Sequence, residues 1–261
     1  MRTTTIAMAS AVAGATACTT PPRALVYRGP ASCEGCPEAV AELLESSPLK
    51  FQVSFAGPTE AIDINEHSLK GVQVYAHPGG GDDLNESWPG LKKYKKPLRD
   101  FVSSGGYYLG FCFGAYLAGD SPGFGLLPRG SNTDAETAQD NAQVTSSKDT
   151  VIEVDWTFVS GKTEKKRWMY FQEGAVITGL DEDKLCDEGS GRVLARYSQN
   201  GDVAASVTRY GKGWVGLVGP HPEANDEWYS AENFTNPDGI NFDIGYDFVT
   251  AALNGGKIEQ S

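Results

Sequence analysis

Positive charge is in short supply. The chain has 22 lysines and arginines against 34 aspartates and glutamates, a formal net charge of −12. An acidic surface repels phosphate backbones, so no nucleic-acid partner is expected, and it repels anionic membrane surfaces in the same way. Long apolar runs are also missing, since none approaches the ~20 residues that span a bilayer. Histidine is scarce: His67, His77 and His221 are the three present, and none stands four residues from another. That spacing offers no paired metal ligands on a helix, and neither a metal nor another cofactor is expected. No stretch is charged enough to imply disorder. The 31 glycines follow no G-X-Y period, which excludes collagen.

What is present suits a globular enzyme-sized unit. Apolar residues make up 40% of the 261, enough for a sizeable core, and a single domain is expected over residues 24–254. Ahead of it, Met1-Arg2, the Ala-rich stretch Ile6–Gly14 and Ala15-Thr16-Ala17 have the order of a signal peptide over residues 1–17. A disordered Ala/Thr leader is the alternative. Setting Cys112 aside as a working thiol, Cys18, Cys33, Cys36 and Cys186 form an even remainder that allows two disulfides in three connectivities. Disulfides fit an oxidising compartment, and the sequons at Asn85 and Asn233 agree with it. The expectation is secretion, with the cytoplasm as the alternative. Cys33-Glu34-Gly35-Cys36 follows a strand-like run and is open to three readings: structural disulfide first, redox pair second, half of a zinc site last.

Hydrophobic patterning predicts alternating strands and helices in the first half. Ala24–Tyr27, Phe51–Phe55, Val72–Tyr75 and Tyr107–Leu109 read as strands. Val40, Leu43 and Leu44 behind Pro37, and Leu98, Phe101 and Val102 behind Pro97, mark amphipathic helices. Residues 120–149 read as a long loop. Val151–Val159, Val193–Tyr197, Val203–Tyr210 and Trp214–Val218 read as strands, with a hairpin at Asn200-Gly201. Phe242–Leu253 reads as a closing helix. The fold class expected is α/β, a three-layer sandwich with a mainly parallel central sheet of flavodoxin-like type and an antiparallel β-rich C-terminal half.

Three motifs carry chemistry. Gly110-Phe111-Cys112-Phe113-Gly114 is a G-x-C-x-G elbow between a strand and a helix-prone Ala115–Ala118. Such a turn lifts a nucleophile above the sheet, needs glycine on both sides, and leaves the Phe113 amide free to meet an oxyanion. A helix N-terminus behind it favours the thiolate. His221-Pro222-Glu223 ends a strand-like run; in extended chain residues i and i+2 face the same way, so Glu223 is placed to orient His221. Pro78-Gly79-Gly80-Gly81 follows another strand, and the amide of Gly80 or Gly81 is a candidate second oxyanion donor. His77 beside it reads as structural. Phe111, Phe113, Tyr116 and Trp228 are candidate pocket walls, with core packing the plainer reading for each.

Taken together, Tyr75–Asp82, Gly106–Gly119 and Gly211–Glu223 resemble the class I glutamine amidotransferase superfamily. They are most similar to the amidotransferase-like domain at the N-terminus of fungal biotin–protein ligases and its stand-alone relatives. The resemblance implies Cys112 as nucleophile, His221 as base and Glu223 as its partner. Glutaminases of this superfamily resemble G-x-C-x-G-x-Q, and the position of that Gln is Tyr116 here, which argues against glutamine as substrate. The function expected is a cysteine-dependent hydrolase or acyl transferase acting on a small-molecule or peptide amide. A non-catalytic binding module on the same scaffold, or a redox protein using Cys33 and Cys36, are the alternatives.

Overall fold

The computed structural model describes residues 20–81, 83–120 and 122–259. The expected signal segment, and Cys18 with it, lie outside them. In chain order the first half holds β1 (Arg23–Tyr27), α1 (Cys36–Ser46), β2 (Gln52–Ala56), β3 (Val74–His77), α2 (Leu84–Leu91), α3 (Lys95–Ser103), β4 (Tyr107–Phe111) and α4 (Phe113–Tyr116). The second half holds β5 (Asn132–Ala135), β6 (Thr150–Thr157), β7 (Thr163–Phe171), β8 (Ala175–Thr178), α5 (Glu182–Asp187), β9 (Gly191–Tyr197), β10 (Val203–Tyr210), β11 (Gly213–Val218), α6 (Asp226–Ala231) and α7 (Asp243–Leu253).

The strands form one mixed sheet in the order β2-β1-β3-β4-β11-β10-β9-β6-β7, with β8 joining β10 and β5 joining β8. Pairings from β2 through β11 are parallel. Those beyond β11 are antiparallel. The fold is therefore α/β with parallel N-terminal strands and antiparallel C-terminal strands. Strand β11, from the end of the chain, completes the parallel half by lying beside β4.

Two apolar layers cover the sheet. On one side Val40, Leu43 and Leu44 of α1 and Phe248 and Val249 of α7 pack with Leu109 and Phe111 of β4. On the other, Leu98 and Val102 of α3 pack with Tyr108 and Phe124. The alternation along β4 follows from the period-two pleat. Each such large apolar side chain contributes ~1.5–3 kcal/mol by leaving water.

The elements expected from patterning are present, with ends shifted by at most two residues. The long loop expected over 120–149 contains β5, which pairs with β8. Helices α2, α5 and α6 were not expected. Helix α2 is obscured by Pro89 and Gly90 inside it, and Asp83 supplies its cap by accepting from the amides of Asn85 and Glu86. Helices α5 and α6 have six residues each, too short to display a period.

Candidate active site

Strands β1, β3, β4 and β11 run parallel, so their C-terminal ends open onto one edge of the sheet. The chain steps outward from β1 to β2 and then returns to β3 on the other side of β1. A crevice at such a reversal is where open α/β sheets bind ligands. The loops that leave these strands carry Cys33 and Cys36, Gly79–Gly81, Cys112 and His221.

Cys112 follows β4 directly, with φ +46° and ψ −103°. Positive φ in a non-glycine residue costs ~1–3 kcal/mol and persists where the surroundings impose it. Here the Cys112 amide donates to the Val218 carbonyl of β11 at 2.9 Å, and the Tyr108 hydroxyl donates to the Gly114 carbonyl at 2.7 Å. A Cβ at Gly114 would lie 2.1 Å from the His77 carbonyl oxygen, so glycine is needed for the elbow to sit against the end of β3. The thiol lies 3.5 Å from the Gln172 carbonyl oxygen. Helix α4 behind it is one turn of four residues, two positions earlier than the patterning implied, and a helix so short adds little dipole.

His221 is held by its own backbone, whose amide donates to the Tyr170 carbonyl at 2.9 Å. Its Nδ1 is 2.8 Å from Glu223 Oε1. The extended-chain argument for this contact is corrected: residues 222 and 223 form a turn, closed by the Ala224 amide on the His221 carbonyl at 3.2 Å. Both side chains are buried, Glu223 completely. Glu223 Oε2 has no partner among the described residues. Burial alone lowers the His221 pKa, yet the neighbouring Cys112 sulfur and the Glu223 carboxyl outweigh it and hold the ring above its ordinary 6.5.

The candidate oxyanion donors have free backbone amides. Among the described residues, the amides of Gly80, Gly81 and Phe113 donate to no protein acceptor. The Phe113 ring lies over Gly81, 2.7 Å from where a Cβ there would be. The Tyr116 hydroxyl donates to the Glu173 carbonyl at 2.9 Å. Trp228 stands with its ring centre 5.1 Å from that of His221. Phe111 is corrected: it is fully buried and packs edge-on against Phe248 beneath the sheet, so it walls no pocket. His77 is buried, stacks on Tyr27 with ring centres 4.4 Å apart and meets the Tyr75 hydroxyl at 2.9 Å. Burial pushes its pKa down to about 3, so it is a neutral core residue.

Cys33 and Cys36 are joined as a disulfide, a state that the structural and the redox readings share. No group of three or more candidate metal ligands occurs among the described residues. Cys186 is exposed and bonded to no other cysteine among the described residues.

The segment after β7 was not foreseen as part of the site. Gln172 and Glu173 meet Cys112 and Tyr116 through their carbonyls. Asp149 receives hydrogen bonds from the Tyr170 hydroxyl at 2.6 Å and from Gln172 Nε2 at 3.3 Å. Backbone carbonyls leave no mark on side-chain identity; the Glu173-Gly174 turn is the one local signal that the strand ends there.

Comparison with known proteins bears on the family and the fold. Residues 23–136 match the family described as biotin-protein ligase, N terminal, a span that includes Gly79–Gly81 and Cys112 and ends before His221. No curated protein matches the chain in sequence. A glutamine amidotransferase from Thermotoga maritima superposes with a TM-score of 0.60 at 12% identity, covering 90% of this chain and 98% of its own. One from Methylobacillus flagellatus gives 0.54 at 11%, covering 93% and 98%. A ThuA-like protein from Parabacteroides merdae gives 0.51 at 10%, covering 93% of each. Residues 23–136 are thus similar to the biotin-protein ligase N-terminal family, and the chain as a whole has the class I glutamine amidotransferase-like fold.

Proposed function

We propose that this protein is a thiol-dependent hydrolase or acyl transferase that acts on an amide through Cys112, His221 and Glu223. The observation that carries the reading is the buried His221–Glu223 contact of 2.8 Å set behind a cysteine in a strained elbow. In the reaction, the Cys112 thiolate attacks the amide carbonyl carbon, and the oxygen takes the electron pair. The amides of Phe113 and of Gly80 or Gly81 stabilise that oxyanion. The His221 imidazolium gives its proton to the leaving amine, which departs as the carbonyl re-forms and a thioester remains on Cys112. Water or an acceptor amine then gives a proton to His221 and attacks the thioester, which returns the thiolate. Glu223 holds the ring orientation and balances its charge throughout.

The substrate is an amide other than free glutamine. Tyr116 occupies the position where glutaminases resemble one another in having Gln, and its hydroxyl is committed to the Glu173 carbonyl. The first experiment is iodoacetamide labelling with peptide mass mapping of wild type and His221→Ala. Fast labelling of Cys112 that collapses in the variant supports the activated thiol. Slow labelling in both replaces it with a binding module that keeps the scaffold without turnover.

A further inference from the structure

The Cys33–Cys36 disulfide lies against the glycine loop, and the contacts are close. The Cys33 amide donates to the Gly79 carbonyl at 3.2 Å. Gly80, at φ +130°, leaves the gap into which Cys33 fits: a Cβ there would be 2.1 Å from the Cys33 nitrogen and 2.5 Å from Ser32 Cα. On the other face, a Cβ at Gly79 would meet Cys36 Sγ at 3.4 Å and His221 Cε1 at 2.7 Å. The glycine loop is thus held between the disulfide and the histidine.

The bridge has firm support on one side. Cys36 is the first residue of α1 and is buried, and α1 is anchored in the core by Val40, Leu43 and Leu44. Cys33 sits in the connecting loop and is half-buried. Apart from the sulfur bridge, the link between them is a long backbone hydrogen bond, Cys36 amide to Cys33 carbonyl at 3.4 Å. Without the bridge, the backbone that braces Gly79 and Gly80 regains freedom that folding otherwise removes.

We propose that the Cys33–Cys36 disulfide is a positioning element of the oxyanion loop, and that its reduction by a dithiol turns the site down reversibly. The inference rests on the thiol-enzyme reading. A thiolate of the dithiol attacks Cys33 Sγ, the more accessible sulfur; the S–S bond breaks and Cys36 leaves as a thiolate. The second thiol of the reductant then attacks the mixed disulfide and releases Cys33. Two electrons pass to the protein, and the reductant becomes a disulfide. The bridge touches no substrate; it acts through the Gly79–Gly81 backbone, whose donors matter only once an oxyanion forms.

That distinction sets the test. Acylation by p-nitrophenyl acetate passes through an oxyanion, whereas alkylation by iodoacetamide does not. Both rates at Cys112 are measured on oxidised protein, on protein reduced with dithiothreitol and desalted without air, and on reoxidised protein. A Cys33→Ser/Cys36→Ser double variant serves as the permanently open form, and thermal unfolding confirms that every sample is folded at the assay temperature. Peptide mapping separates Cys112 from the other thiols. The expected result is acylation slowed by about tenfold on reduction and in the double variant, restored by reoxidation, with alkylation changed far less. Equal acylation in both redox states overturns this inference alone. An oxidised protein whose Cys112 reacts with neither reagent overturns the thiol-enzyme reading together with it.

Discussion

Two opposed influences set the His221 proton. Desolvation is the largest and favours the neutral ring; the neighbouring Cys112 sulfur and Glu223 carboxyl together exceed it and raise the pKa. The sign of the result follows. A ring held above 6.5 keeps its proton through mildly acidic and neutral pH, so a cation stands beside the Cys112 sulfur there. Cys112 is accordingly expected to alkylate faster than free cysteine at about pH 6, and the advantage to vanish in His221→Ala. Glu223→Gln keeps a hydrogen-bond acceptor for Nδ1 but removes one of the charges that offset desolvation. Burial then regains ground and the ring loses its proton at lower pH. Alkylation at about pH 6 is expected to fall by about tenfold in that variant, which corresponds to ~1.4 kcal/mol of lost charge stabilisation. A pH–rate profile of mapped Cys112 labelling in the three proteins reads both effects. A Glu223→Gln profile that overlays wild type would show that the carboxylate only fills space.

At the scale of elements, the site depends on how closely the end of β3 approaches the elbow. Gly114→Ala would put a methyl 2.1 Å from the His77 carbonyl, backbone against backbone with no flexible side chain to yield. The expected cost is ~3 kcal/mol or more in denaturant unfolding, with Cys112 labelling slowed because the elbow must move. A second element-level contact ties β5 to the β9–β10 hairpin: Asn200 Nδ2 donates to Glu136 Oε1 at 2.7 Å. Glu136 is completely buried with Oε2 unpartnered among the described residues. Burial raises its pKa from 4.5 to about 7, with Asp202 adding to the rise and Asn200 opposing it. The folded state therefore holds this proton more tightly than the unfolded chain. The stability it brings is complete below about 4.5 and is lost as pH rises toward about 7. Glu136→Gln keeps an acceptor for Asn200 and cannot ionise. Its stability relative to wild type is expected to grow by ~1–3 kcal/mol between about pH 4.5 and pH 8, checked by urea unfolding at the two ends. A difference that stays constant with pH would mean Glu136 is hydrated in the folded protein.

Over the whole molecule, what was legible in the sequence is what the backbone decides locally. The elbow around Cys112 and the glycine run at 79–81 are short segments whose residues carry their own geometry; His221-Pro222-Glu223 was legible as a motif, but its turn was read as extended chain. Strands such as Val203–Tyr210 announced themselves by β-branched and aromatic content. The adjacency of β11 and β4, which brings His221 to Cys112, was not legible from patterning, because more than a hundred residues separate them and pairing is settled by the completed sheet. The Gln172–Glu173 wall was hidden for the same reason. Strand β7 was not expected: its run Thr163-Glu-Lys-Lys-Arg-Trp168 is polar because it is an edge strand with one exposed side.

The completed molecule also has a charge distribution that its parts do not show. The net charge is −12, and near the thiol the charges acting on Tyr116 include Glu173 and Asp134, while those on Tyr170 include Asp149 and Glu232. Carboxylates around a site concentrate cations and repel anions before any contact forms. Two methanethiosulfonates of similar size, one bearing an aminoethyl group and one a sulfonatoethyl group, probe this directly through Cys112. Relative to their rates with a free thiol, the cationic reagent is expected to modify Cys112 at least about tenfold faster than the anionic one in low salt. The ratio should fall toward one as ionic strength rises to about 1 M, where the screening length drops to ~3 Å. Asp149→Asn with Glu173→Gln should lower the low-salt ratio and leave the high-salt rates alone. A ratio indifferent to salt would place the discrimination in direct contacts within the pocket, and a ratio near one throughout would remove charge from the account of which amides reach the thiol.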